Sequence, residues 1–248
     1  MSANENLPVA VIVPAFNEAE RIAATIVGAR TLPGVALVVV VSDGSSDETG
    51  ECARRAGAHV VSHARNRGKA AAMETGADAA QNALAGDFCL LFLDADLGNT
   101  AGAAAGLLAP VLCGAADMSI ATFPRLAGRR RGGGVGAVVR TARWGIARAT
   151  GRTMIAPLSG QRCITRNAFA AARPLACGFG VETALTIDVL RAGFRVVEIP
   201  TELNHRVTGR DWKSQKHRLR QLRDVLRALA PRLLFGRRRR RTKSGGHE

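Results

Sequence analysis

With 248 residues, 47% of them hydrophobic and 22% charged, the chain is long enough to bury one large core and too apolar for wholesale disorder. Its net charge of +15 is uneven: −6 over residues 1–124, +9 over 125–202 and +12 over 203–248, so the basic excess belongs to the back of the molecule. The opening MSANENLPVAVIVP lacks a basic segment and a cleavage site, which disfavours a secretory signal, and the odd, scattered cysteines (Cys52, Cys89, Cys113, Cys163, Cys177) read as buried thiols of a reducing compartment.

The first 120 residues repeat an apolar run, a polar loop and an alanine-rich amphipathic stretch. Residues 9–14 predict a buried strand and 18–29 a helix with Ile22, Ile26 and Val27 on one side. Residues 36–42 form a β-branched second strand; SSDETGECARRAG then supplies a capping residue, an acidic first turn and the terminating Gly57. A third strand over 58–63, a helix over 69–83 and a fourth strand over 88–94 follow. Strands buried on both faces and alternating with helices imply βαβ units and a mainly parallel sheet. The uncharged stretch 100–116 is dominated by Ala and Gly and falls short of the roughly 20 apolar residues that a membrane span needs. Further on, 117–123 reads as a strand, Arg129 to Gly134 as a loop, 136–150 as a helix, PLSGQR as a loop, 181–192 as a helix and FRVVEIP as a strand. A basic amphipathic helix from 213, with Leu219, Leu222, Leu226 and Leu229 on one face, is expected to pack on the sheet. The arginine-rich end, 235–248, has the composition of a disordered tail.

In an open parallel sheet, ligands sit beyond the carboxyl ends of the strands. The residues there are Pro14-Ala15-Phe16-Asn17-Glu18, Asp43 to Asp47, Arg65 to Lys69, and Asp94-Ala95-Asp96. The chain has neither a GxGxxG after its first strand nor a GxxxxGK[ST], which disfavours a dinucleotide-binding domain and a P-loop ATPase. What remains is Asp43 as an acceptor for a base or ribose, Lys69 beside Gly68 for phosphate, and two close carboxylates. Asp94 and Asp96 repel one another unless a cation lies nearby; a hard divalent ion completed by substrate phosphates suits them.

The stretches PAFNEA, DGSSDET, NRGKAAAMETG and DADL, in this order, resemble the family 2 glycosyltransferases of the GT-A fold. Within that family the likeness is to polyprenyl-phosphate sugar transferases such as dolichyl-phosphate mannose synthases, with some likeness to glucosyl-3-phosphoglycerate synthases. The resemblance spans roughly residues 8–205. It implies a single α/β domain over 1–212, Rossmann-like, with a mostly parallel sheet flanked by helices. A nucleotide-sugar half would cover about 7–124 and an acceptor half 125–212, followed by a helix over 213–234 and the tail. It further implies that Pro14, Ala15, Asn17, Glu18, Asp43, Lys69, Asp94 and Ala95 hold a nucleotide-sugar donor. Asp96, with Asp94 and His205, would bind Mg²⁺ or Mn²⁺, and Gly160, Gln161, Arg162, Arg206 and Arg210 would meet sugar or acceptor. Glu182 would be the base for a hydroxyl acceptor and would only orient the donor if the acceptor is itself a phosphate. A polyprenyl phosphate acceptor would place the chain at the cytosolic face of a membrane, with Arg237 to Arg241 on anionic lipid; a soluble hydroxyl acceptor would leave it cytoplasmic.

Two other classes fit less well. A nucleic-acid-binding protein is suggested by the basic charge, but the chain has no Tyr and only 4% aromatics for base stacking, and its strand ends are acidic. A phosphatase with an Asp-x-Asp nucleophile pair leaves DGSSDET unexplained.

Overall fold

The computed structural model describes residues 7–123, 133–203 and 212–235, without the side chains of 133–135, 212–218 and 235. Period-two alternation splits the central strands between two cores, as the pleat requires. On β1 (Val9–Ala15), Val9, Val11 and Val13 pack with Ile22 and Ile26 of α1 (Ala19–Arg30), whereas Ala10 and Ile12 face Met73 of α3 (Lys69–Ala83). The same division runs along β2 (Val35–Asp43) and β4 (Cys89–Phe92), which explains why these strands read as unbroken apolar runs. The first core also contains α4 (Ala105–Leu112), and the second α5 (Gly133–Thr150), α6 (Arg166–Ala171), α7 (Val181–Arg191) and α8 (Trp212–Phe235). The short helix α2 (Thr49–Arg55) links β2 to the edge strand β3 (His59–His63).

Among the described residues the sheet has seven strands in the order β3-β2-β1-β4-β6-β5-β7. Strands β1 to β4 are parallel, and β5 (Met118–Thr122) is parallel to β7 (Val196–Pro200). Between these groups lies β6 (Arg162–Thr165), antiparallel to both neighbours. This strand is a departure from the sequence reading, which has no strand between PLSGQR and the helix at 181. It is only four residues long and begins with an arginine, so it carries no periodic apolar signal. Its direction matters for the site: Phe92 pairs with Arg162, so the start of β6 lies at the end of β4.

Three other expectations are corrected. Cys89 and Cys163 are buried thiols, but Cys52 is half-buried and Cys113 and Cys177 are exposed; all are free. Helix α5 begins at Gly133, inside the expected loop, whereas Arg129 to Arg131 lie outside the described residues. Helix α8 packs mainly on α5, α7 and the turn at 178–180 rather than on the sheet. It does so through Val225, Ala228 and Leu229, leaving Leu219 68% and Leu226 48% exposed, so the leucine stripe is offset from the buried face. Among the described residues no helix is long and apolar enough to cross a membrane.

Candidate functional site

The loops that follow β1 and β2 are tied to each other. Asn17, in the left-handed region at φ 56°, donates its backbone N–H to Ser45 Oγ at 3.1 Å and accepts the Ser46 N–H on its side-chain oxygen at 2.8 Å. The Glu18 amide donates to Thr49 Oγ1 at 2.8 Å. Asp47 spans both helix starts, accepting from the amides of Ala19 and Thr49 and from the Thr49 hydroxyl. Burial opposes its ionisation, but these hydrogen bonds outweigh burial and hold its carboxyl below the ordinary value. Gly44, at φ 71°, lies so close to the backbone of Arg65 and Asn66 that a Cβ would collide with it, which accounts for glycine after Asp43.

Asp43 is not the open acceptor that its sequence position suggests. It is buried, and its carboxylate accepts from His63 Nδ1 at 2.6 Å and from the amides of Arg67 and Gly68 at 2.9 and 2.8 Å. His63 in turn meets Thr75 Oγ1 at 3.0 Å. Asp43 thus fixes the segment that leads into α3, whose first residue is Lys69.

A lysine at the first position of a helix opposes the helix dipole, so it needs negative partners. Lys69 has two: Nζ donates to Asp94 Oδ1 at 2.7 Å and lies 2.9 Å from Glu182 Oε1. Desolvation favours the neutral amine, but Asp94 and then Glu182 overcome it and hold the Lys69 pKa above its ordinary value. Glu182, in the first turn of α7, is placed where the dipole favours a carboxylate. The second oxygen of Asp94 accepts from Gln161 Nε2 at 2.5 Å, and Gln161 Oε1 accepts from Ser159 Oγ at 3.2 Å. Gly160 lies against this group: a Cβ there would stand 2.5 Å from Lys69 Nζ and 2.7 Å from Asp94 Oδ1. Four chain segments therefore meet at the carboxyl end of β4 through one ammonium, two carboxylates and one amide.

The turn Asp94-Ala95-Asp96 is itself held from α1. Buried Thr25 donates to the Ala95 carbonyl at 2.8 Å and accepts the Gly98 amide at 2.8 Å, with both carboxylates half-buried on either side of buried Ala95. Pro14 and Ala15 are the last two residues of β1, beside Val41 and Ser42 of β2.

Arg162 does not meet the expectation of a cation facing an acceptor. It is fully buried, donating to the Ser159 carbonyl at 2.8 Å, Thr186 Oγ1 at 2.8 Å and the Pro157 carbonyl at 3.4 Å. Burial pulls its pKa down to about 10 against the pull of Glu182, Glu198 and Asp94 in the other direction, so it remains cationic at neutral pH and holds the 157–160 loop on α7. Glu198 pins the same loop from β7 by accepting the amides of Ile155 and Ala156 at 2.7 and 2.6 Å. His205, Arg206 and Arg210 lie outside the described residues. Among the described residues no group of three His, Cys, Asp or Glu side chains forms a metal cluster.

The family description "Glycosyl transferase family 2" matches residues 10–134. Glycosyltransferase AglJ of Haloferax volcanii is 34% identical over 211 residues, which are 82% of this chain and 65% of that protein, so the chain spans just under two-thirds of its length. Among solved structures, glucosyl-3-phosphoglycerate synthase of Mycobacterium tuberculosis, in complex with Mn²⁺, UDP and phosphoglyceric acid, superposes with a TM-score of 0.75 at 25% identity, over 94% of this chain and 81% of that one. Mannosyl-3-phosphoglycerate synthase of Rubrobacter xylanophilus, at 23% identity and a TM-score of 0.73 over 98% of this chain and 79% of that one, shares the fold.

Proposed function

Since the chain belongs to glycosyl transferase family 2, we propose that it is a metal-dependent glycosyltransferase that moves a sugar from a UDP- or GDP-linked donor to an acceptor. The observation that carries this reading is the Lys69–Asp94–Gln161–Glu182 cluster beside the Asp94-Ala95-Asp96 turn, at the strand ends where an α/β sheet takes its ligand.

Asp94 and Asp96 are hard oxygen donors on a turn held rigid by Thr25, which fits Mg²⁺ or Mn²⁺ completed by donor phosphates and water. In this proposal Asp96 is the main ligand, Asp94, which also pairs with Lys69, the lesser one, and His205 the third. When bound, the ion neutralises charge that grows on the departing nucleoside diphosphate. The chain's own residues do the rest. The braced Asn17–Glu18 and Ser45–Ser46 loops, with Pro14 and Ala15 beneath them, form the nucleoside side, and Asp43 acts through the backbone it holds. Lys69 offers a permanent positive charge to donor phosphate, while Gly160 and Gln161 shape the floor on which the sugar lies. Glu182 takes the proton of a hydroxyl acceptor, or serves only as the partner of Lys69 if the acceptor is a phosphate.

For the acceptor we propose a phosphate-bearing anion, consistent with the +9 and +12 charge of residues 125–202 and 203–248. A polyprenyl phosphate at a membrane is the first form of this reading, with Arg206 and Arg210 toward its phosphate. A small soluble acceptor is the second, favoured by the phosphoglyceric acid in the mycobacterial relative. A panel of UDP-, GDP- and dTDP-sugars with Mn²⁺, incubated with polyprenyl phosphate in detergent or with phosphoglycerate, tests both. Transfer of sugar to either acceptor with a matching donor is the expected result; neither hydrolysis nor transfer with any donor would sink the reading.

A further inference from the structure

Helices α5 and α8 lie side by side, and small residues set how closely. A Cβ at Gly145 would collide with Leu229, and one at Gly180 would stand 2.5 Å from the Cβ of Ala228. Arg232 Nε anchors the end of α8 to Asp188 at 2.8 Å. The rotation of α8 is thereby set, and so is what it turns outward. Leu219 is 68% exposed, Leu226 48% and Leu234 73%, while on α5 Trp144 is 58% exposed. Trp144, Leu219 and Leu226 are each flanked by arginine. Arg140 and Arg148 lie one turn on either side of Trp144, and Arg220, Arg223 and Arg227 run beside the leucines, all exposed. Helix α5 has no acidic residue, and the one acid among the described residues of α8, Asp224, is engaged by Arg223 at 3.4 Å and by the Phe179 amide at 3.3 Å. The sequence after Phe235 continues with Gly236 and five arginines.

We propose that the outward face of the α5–α8 pair docks on an anionic lipid surface, inserting Trp144, Leu219, Leu226 and Leu234 while the arginines meet lipid phosphates. Single exposed hydrophobic residues are ordinary; a tryptophan and three leucines interleaved with exposed arginines that far outnumber the acids on these two helices are what an interfacial helix presents. A second copy of the chain is the poorer occupant, because isologous packing would bring the same arginines together across the interface. The proposal stands on these two helices and does not depend on the donor chemistry.

The test is flotation of the full chain with phosphatidylglycerol-containing vesicles and with pure phosphatidylcholine vesicles, together with the emission of Trp144 in a Trp212→Phe background. Expected are selective binding to the anionic vesicles and a blue shift of Trp144. The exposed substitutions Leu219→Asp and Leu226→Asp each lower the partition coefficient about tenfold. The triple change Arg220→Glu, Arg223→Glu, Arg227→Glu lowers it on the order of 100-fold or more. Nucleotide-sugar hydrolysis, assayed without vesicles, stays at the wild-type level in all of these, so failure of docking and failure of the glycosyltransferase reading are told apart. The proposal is overturned by absence of vesicle binding, or by binding that both sets of variants retain and replacement of Arg237 to Arg241 abolishes. A dimer dissolved by Leu226→Asp, with no lipid binding, would also overturn it.

Discussion

The front and back of this molecule handle charge in opposite ways. At the strand ends of the front, nearly every polar group is committed to another: Asn17 to Ser45 and Ser46, Asp43 to His63 and two amides, Lys69 to Asp94 and Glu182. On the outer side of α5 and α8, arginines face solvent with few acids near them. The difference matches what each region is proposed to do. A preorganised polar site costs little to rearrange when a charged ligand arrives, which is what catalysis of group transfer needs. An unopposed basic surface gains its energy only when an anionic partner comes.

The contrast breaks most sharply at Lys69. Lys69→Met leaves Asp94 and Glu182 without their shared cation, and we expect turnover to fall by roughly 10²–10³-fold and stability by about 1–2 kcal/mol, with vesicle binding unchanged. Steady-state kinetics and chemical denaturation check both. Because Lys69 is held above its ordinary value, its charge is present below that range and lost only as pH rises through the still higher folded value. Lys69 should therefore add no pH dependence of its own to stability around neutral pH. Gly160→Ala tests steric fit rather than charge: its methyl must displace both Lys69 and Asp94, and a loss of about tenfold to 10²-fold in kcat with a small change in melting temperature is expected.

A smaller effect is expected from Thr25→Val, which removes both hydrogen bonds that hold the Asp94-Ala95-Asp96 turn and leaves a carbonyl and an amide without their partner. Calorimetry should register a loss of about 1–3 kcal/mol, with kcat lowered several-fold and restored by Thr25→Ser. The smallest concerns Asp47. Its folded pKa lies below the ordinary 3.8, so its contribution is present above about pH 4 and lost as pH falls through the folded value. The difference in melting temperature between wild type and Asp47→Asn should accordingly shrink on acidification.

The unequal legibility of the two halves has a physical cause. The two aspartates could be read from sequence because they follow an apolar run, and Lys69 because it closes the polar loop after the third strand; the carboxyl ends of parallel strands converge by topology. The start of α3 at Lys69 was legible for the same reason. Strand β6 was not, being four residues long and opening on a buried arginine, and Gln161 and Glu182 were singled out by resemblance alone. Thr25 left no trace either. A threonine within a helix reads as an ordinary polar residue, and its partners lie 70 or more positions away. The leucines of α8 were visible as a stripe, but which of them face inward depends on Gly145 and Gly180, on other segments.

The central claim is that the front half holds a nucleoside diphosphate sugar through a divalent cation at Asp96. Isothermal titration of UDP and GDP into the protein, with and without Mn²⁺, tests it most directly when repeated with Asp96→Asn. The account predicts binding of at least one nucleotide that strengthens markedly with Mn²⁺ in the wild type and loses that dependence in the variant. Affinity for both nucleotides that is the same with and without Mn²⁺, and the same in Asp96→Asn, would contradict it.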